Sequence, residues 1–114
     1  ITSDVMEHVA NPRRVMAEVS RVLAPNGAHI FSVPLAWPLP AETAPRARVR
    51  DGVVEHLLEP HYHRSGMGEP SLVFHDFGRD VLNWHRHVGM RAWLFRGHAL
   101  VAGLHRNACV VAMK

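Results

Sequence analysis

Cysteine is almost missing from this chain of 114 residues. Cys109 stands alone, so no internal disulfide can form, and a reducing, cytoplasmic setting is the default expectation. Lysine is nearly as scarce. The 13 basic residues are arginine almost throughout and lie scattered along the chain against 10 acidic ones. That leaves no basic tract and none of the aromatic interleaving of a nucleic-acid surface, so no nucleic-acid partner is expected. From Val22 to Ala41 there is no Asp, Glu, Lys or Arg, a run of membrane-span length. Pro25, Pro34, Pro38 and Pro40, with Asn26-Gly27, break any continuous helix there, which argues against a membrane span or membrane partner. Ile1-Thr2-Ser3-Asp4 opens without Met, a basic stretch or a long apolar run, so no signal peptide is expected and the start reads as a cut end. Repeats and low-complexity tracts are lacking too, which disfavours a solenoid.

What is present fits one folded domain. Hydrophobic residues make up 47% of the chain, and a chain of this length can bury roughly two thirds of its unfolded surface. Ten histidines let the formal charge of +3 rise as pH falls through about 6.5. Asn11 can cap a helix, Pro12 suits its first turn, and Val15, Val19, Val22 and Leu23 recur on one face. Pro25-Asn26-Gly27 ends that helix. A strand over Ala28 to Leu35 follows, apolar enough to be covered on both faces of a parallel sheet. Ahead of the helix, Asp4 and Glu7 have capping-box spacing, and Ile1-Thr2 can end an earlier strand. Residues from about 36 to 75 lose periodicity, as a lid or binding loop does, or a connection with small elements of its own. Asp76 to Val88 regains helical spacing through Phe77, Val81, Trp84 and Val88, with Gly89 as the stop. Two strand-like runs, Arg91 to Phe95 and Ala108 to Met113, are joined through Gly97, Ala99 to Ala102 and Gly103 and can form an antiparallel pair. The periodicities place Phe77, Trp84, Trp93, Phe95 and Cys109 in the core. The fold class is α/β.

Ser3-Asp4-Val5-Met6-Glu7-His8-Val9, the helix ending Arg21-Val22-Leu23-Ala24-Pro25-Asn26-Gly27, and His29-Ile30-Phe31-Ser32-Val33-Pro34 together resemble the class I methyltransferases that use S-adenosylmethionine (SAM), of the type 11 kind. The resemblance extends over nearly the whole chain. It implies a partial Rossmann-like fold: the stub of strand 4, helix D, strand 5, a substrate-facing insertion at about 36–75, helix E, and a hairpin of strands 6 and 7, with strand 5 between strands 4 and 7. Residues 1–114 would then be the C-terminal half of one methyltransferase domain. No G-x-G-x-x-G turn occurs in the chain, and the resemblance places the family's glycine-rich loop and its acidic ribose-binding residue upstream of Ile1. A strand 4 reduced to a stub leaves an open sheet edge, from which weak stability or self-association is expected.

Methyl transfer from a sulfonium is an in-line displacement that needs alignment and, at most, a proton acceptor. By resemblance, Ser3, Asp4 and Val5 line the methionine end of SAM; Ser3 and Asp4 serve equally well as helix caps. Asp4, Glu7 and His8 form D-x-x-E-H, similar to the E-x-x-E-H that ubiquinone-pathway O-methyltransferases associate with a divalent metal. These three are therefore metal candidates, and Glu7 and His8 are also catalytic candidates, His8 as a general base. A capping box beside a partly buried histidine explains the same residues. In the insertion His56, Glu59, His61, Tyr62 and His63 form a dense polar cluster. The H-x-H spacing suits zinc but lacks a second ligand pair, so His56, His61, Tyr62 and His63 are assigned to the substrate pocket. Trp37, just past the carboxyl end of the second strand, either faces the acceptor or packs beneath the insertion. The expected function is that of a SAM-dependent methyltransferase fragment acting on a small-molecule acceptor in the intact protein and inactive alone. Two alternatives are a metal- or ligand-binding module built on the His-rich insertion of a degenerate methyltransferase scaffold, and a fragment without function.

Overall fold

The side chain of Asn11 accepts a hydrogen bond from the Arg14 amide at 3.1 Å, and Pro12 takes the first helical position. Cap and pre-set φ thus coincide at the start of α1 (Pro12–Val22). The computed structural model to which this helix belongs describes residues 1–64, 68–96 and 108–114. The glycine-containing connection through Gly97, Ala99–Ala102 and Gly103 lies outside the described residues. No helix among them is long and apolar enough to cross a membrane.

α1 buries Pro12, Met16 and Ser20, not the valine stripe expected of it. Val15 and Val19 are half-buried, and Val22 is exposed. All three line a shallow groove together with Val9. Met16 reaches the core because its long, unbranched side chain spans farther than a valine can. Burial follows what faces the helix, and periodicity alone does not say which of two adjacent stripes that is.

The main sheet has the order β1–β2–β10–β9. β1 (Thr2–Ser3) runs parallel to β2 (Ala28–Ser32), matching Thr2 to Phe31 and Ser3 to Ser32. β10 (Ala108–Met113) is antiparallel to β2 on one side and to β9 (Arg91–Arg96) on the other. The expected terminal hairpin is therefore present. β2 stops at Ser32, not Leu35. Both of its partners end there, and Pro34 has no N–H to extend a ladder. Among the described residues it is covered on only one face: His29 and Phe31 are buried with Ala92, Val110 and Ala112. The opposite face carries Ile30, Trp93, Phe95, Cys109, Val111 and Met113, as the register requires. Trp93 is 46% exposed and Phe95 62%, so neither is the core residue its spacing suggested, and Cys109 is only half-buried.

α2 (Val81–His87) begins five residues later than the helical spacing implies. Two contacts with the insertion hold the chain out of the helix before that point. The carboxylate of Asp80 accepts from both the amide and the hydroxyl of Thr43, at 2.8 and 2.7 Å, instead of capping its own helix. Gly78 lies so close to Glu42 that a Cβ there would sit 2.3 Å from a backbone carbon. Phe77 still enters the core with Val81 and Trp84, as its spacing implied, alongside Met6, Met16, Phe31, Val33 and Val110. Gly89, at φ +80°, ends the helix where expected.

The insertion has small elements of its own. β3 (Ala44–Pro45) pairs with β8 (His75–Asp76), β4 (Ala47–Arg50) with β5 (Val53–His56), and β6 (Tyr62–His63) with β7 (Ser71–Leu72), all antiparallel. The β4–β5 turn is Asp51-Gly52, both at positive φ, which is the signature of a tight two-residue hairpin turn.

Candidate functional site

β1 ends in a sharp turn. Asp4 adopts φ 50°, and its amide bonds to the Ser32 carbonyl at 3.0 Å, so the chain leaves the sheet at once and enters the 3-10 turn Met6–His8. An aspartate tolerates this left-handed conformation better than most residues. The capping box expected of Asp4 and Glu7 does not form, since no side chain caps the turn and the Asp4 carboxylate instead accepts a 3.3 Å bond from the Ser3 hydroxyl. Met6 and Glu7 turn inward and Asp4 outward, which separates the two carboxylates.

Glu7 is 1% exposed, and neither carboxylate oxygen has a hydrogen-bond partner among the described residues. Two imidazoles face it. His8 Nε2 lies 3.8 Å and His63 Nδ1 3.4 Å from Glu7 Oε1. His8 donates its Nδ1 proton to the Leu72 carbonyl at 2.8 Å, which fixes the ring with Nε2 facing the carboxylate. The Phe74 amide donates to the Glu7 carbonyl at 2.7 Å. Because Leu72 pairs with Tyr62 and Ser71 with His63, the same two bonds that hold the 3-10 turn also bring His63 across it. The result is one carboxylate and two imidazoles whose ligating atoms all lie within 4.8 Å of one another.

This differs from the set the sequence suggests. Asp4 is not part of the group, and the trio Asp4, Glu7 and His8 is not assembled; His63 takes the third place. No local spacing could reveal that, because the contacts that bring it there join residues 64 positions apart. Of the other insertion residues, His61 packs its ring edge-on against His63, with centroids 5.1 Å apart, and is exposed, as is Tyr62. His56 lies at the end of β5, on a different ladder, exposed and outside the group. Trp37 is half-buried, and one face of its ring is covered by the Arg96 guanidinium at 4.5 Å, an arrangement that serves packing. Ser3, Asp4 and Val5 lie exposed at the carboxyl end of β1, where open α/β sheets meet their ligands, and the Ser3 hydroxyl pairs with that of Ser32 at 2.8 Å. The Glu7 group offers a cation two imidazole nitrogens and a carboxylate oxygen.

A second histidine cluster lies inside the fold. His29, Phe31 and His85 form a triangle of rings, with centroids 5.2 Å apart for His29 and Phe31, 5.4 Å for Phe31 and His85, and 5.9 Å for the two histidines. Burial, reinforced by His85, lowers the His29 pKa to about 4. Burial also lowers that of His85, although its bond to the Val81 carbonyl acts in the opposite sense. A third feature is an open cleft of about 540 Å³ lined by Arg13, Thr43, His75, Asp80, Trp84 and His87, in which the Arg13 guanidinium stacks on Trp84.

No curated protein matches the chain, and no solved structure does. Residues 1–31, which hold β1, the Met6–His8 turn, α1 and most of β2, match the family of the methyltransferase domain.

Proposed function

We propose that this chain supplies the acceptor side of a SAM-dependent methyltransferase with a partial Rossmann-like fold, acting on a small molecule. The observation that carries this reading is where the family match falls. It covers the strand–turn–helix unit that presents Ser3, Asp4 and Val5 at the surface and Glu7 and His8 behind them. The position of β2 between β1 and β10 supports it, since this is the neighbourhood that the resemblance implies. As the acceptor's oxygen or nitrogen takes up the methyl group, its proton must go to a base. The proton of His8 Nδ1 is committed to Leu72, so its Nε2 is free to take that proton, with the Glu7 carboxylate beside it to stabilise the imidazolium. SAM supplies the methyl group; the chain's own residues orient the acceptor and receive the proton.

Amide NMR on the chain tests the reading. Adding SAM to about 1 mM should shift the amides of Ser3, Asp4 and Val5 saturably while leaving those of the β4–β5 hairpin in place. Unmoved amides at Ser3 to Val5 would end it. A second reading, a metal-binding module on the same scaffold, is favoured by the proximity of Glu7, His8 and His63.

A further inference from the structure

We infer that Glu7, His8 and His63 form a binding site for a divalent first-row transition ion, with zinc as its representative, which fastens the insertion onto the Met6–His8 turn. The inference deepens the metal-binding reading above and needs no methyl donor; an ion held by His8 Nε2 would take that nitrogen out of proton transfer. Its starting point is an electrostatic deficit. A carboxylate 1% exposed that accepts no hydrogen bond costs several kcal/mol unless a positive charge is supplied close by. Arg46, the guanidinium anchored in this part of the insertion, directs its two terminal nitrogens to Asp76 and to the Glu59 carbonyl. What faces Glu7 is two imidazole nitrogens, His8 Nε2 at 3.8 Å and His63 Nδ1 at 3.4 Å. A cation seated among these three atoms would answer the carboxylate's charge and engage both rings at once.

The second coordination sphere is already in place. A metal-bound imidazole commonly donates its other ring proton to a carbonyl, and His8 does so to Leu72. The donor set selects the ion: two imidazoles and a carboxylate suit zinc, cobalt, nickel or ferrous iron, whereas magnesium and calcium prefer oxygen throughout. Three protein donors also leave a coordination position open, and the half-exposed side of the two histidines gives a path to it. His63 contributes more than a third ligand. It belongs to β6, whereas Glu7 and His8 precede α1, so the ion would tie the insertion to the sheet through a link independent of the backbone bonds at Leu72 and Phe74.

The test is titration of the intact chain with zinc sulfate, followed by calorimetry and thermal melting. One saturable site should appear, magnesium should not compete for it, and zinc should raise the melting temperature. His63→Ala and His8→Ala should each weaken binding by about 10- to 100-fold, while His87→Ala, on α2 and away from the group, should leave it unchanged. Glu7→Gln separates this arrangement from a histidinium–carboxylate pair. Without metal it should melt higher than the parent chain, because it removes an uncompensated charge, and its response to zinc should vanish. A lower melting temperature for metal-free Glu7→Gln overturns the inference. Should any variant fail to fold, cobalt added to the unmodified chain gives the answer: paramagnetic broadening of the His8 and His63 ring signals supports the site, and broadening confined to other histidines refutes it.

Discussion

Histidines at 29 and 85 carry opposite obligations from the one at 8, because no acidic group among the described residues faces them. Both are buried around Phe31, His29 Nδ1 and His85 Nε2 have no partner among the described residues, and burial holds both pKa values down, His29 at about 4. His75 is shifted in the same direction, again chiefly by burial. Each base has a folded-state pKa below its unfolded one near 6.5, so below that value the unfolded chain binds protons that the folded chain refuses. Stability is therefore full above about pH 6.5 and falls as pH drops towards 4, the window set by the His29 shift. His29 alone should cost about 2 kcal/mol at pH 5, with His85 and His75 adding to it. Urea unfolding at pH 7 and pH 5 measures the difference. His29→Gln should flatten the profile, and a chain equally stable at both values would show that these rings reach solvent in the folded state.

The elements depend on contacts that short windows of residues do not contain. The start of α2 is the clearest instance: the helical spacing of Phe77 predicted a helix from Asp76, yet Thr43 holds the Asp80 carboxylate and Glu42 crowds Gly78, so the chain passes through a turn at residues 79–80 and the helix begins only at Val81. Gly78→Ala should destabilise the fold by about 1–3 kcal/mol, because the new methyl group meets backbone that cannot swing away. Thermal melting of that variant checks it, and an unchanged midpoint would mean that the insertion is not seated there. Features decided locally were legible: the Asn11 cap, the Gly89 stop and the β9–β10 pair all lie where turn chemistry and alternation put them. The Asp51-Gly52 hairpin carried the same kind of signal, a turn dipeptide between two valine-bearing runs, and its exposed neighbours obscured it. Features decided by a distant partner were not legible. Val15 and Met16 compete for the same interior, Trp93 and Phe95 sit on whichever face the sheet leaves open, and His63 reaches Glu7 only through Leu72.

At the scale of the molecule the sheet, among the described residues, is covered on one side and incomplete at one edge. β1 pairs with only Phe31 and Ser32, so Ala28 to Ile30 have no partner strand on that side among the described residues, and the face opposite the core carries Ile30, Trp93, Phe95 and Val111 together. An open edge beside an apolar face favours association with a second copy. Sedimentation velocity should therefore show mass rising with concentration, and Phe95→Lys combined with Trp93→Lys should shift the chain towards monomer. A single monomeric species across the whole range would rule the association out.

β10, near the end of the chain, lies between β2 and β9 in the middle of the sheet. During synthesis, then, the two outer parts of the sheet wait apart in the emerging polypeptide, each with a row of unsatisfied amides, until the central strand clears the ribosome's exit tunnel and joins them. A premature stop anywhere before Ala108 would leave a product with no means of closing, one for chaperones and proteases to recognise.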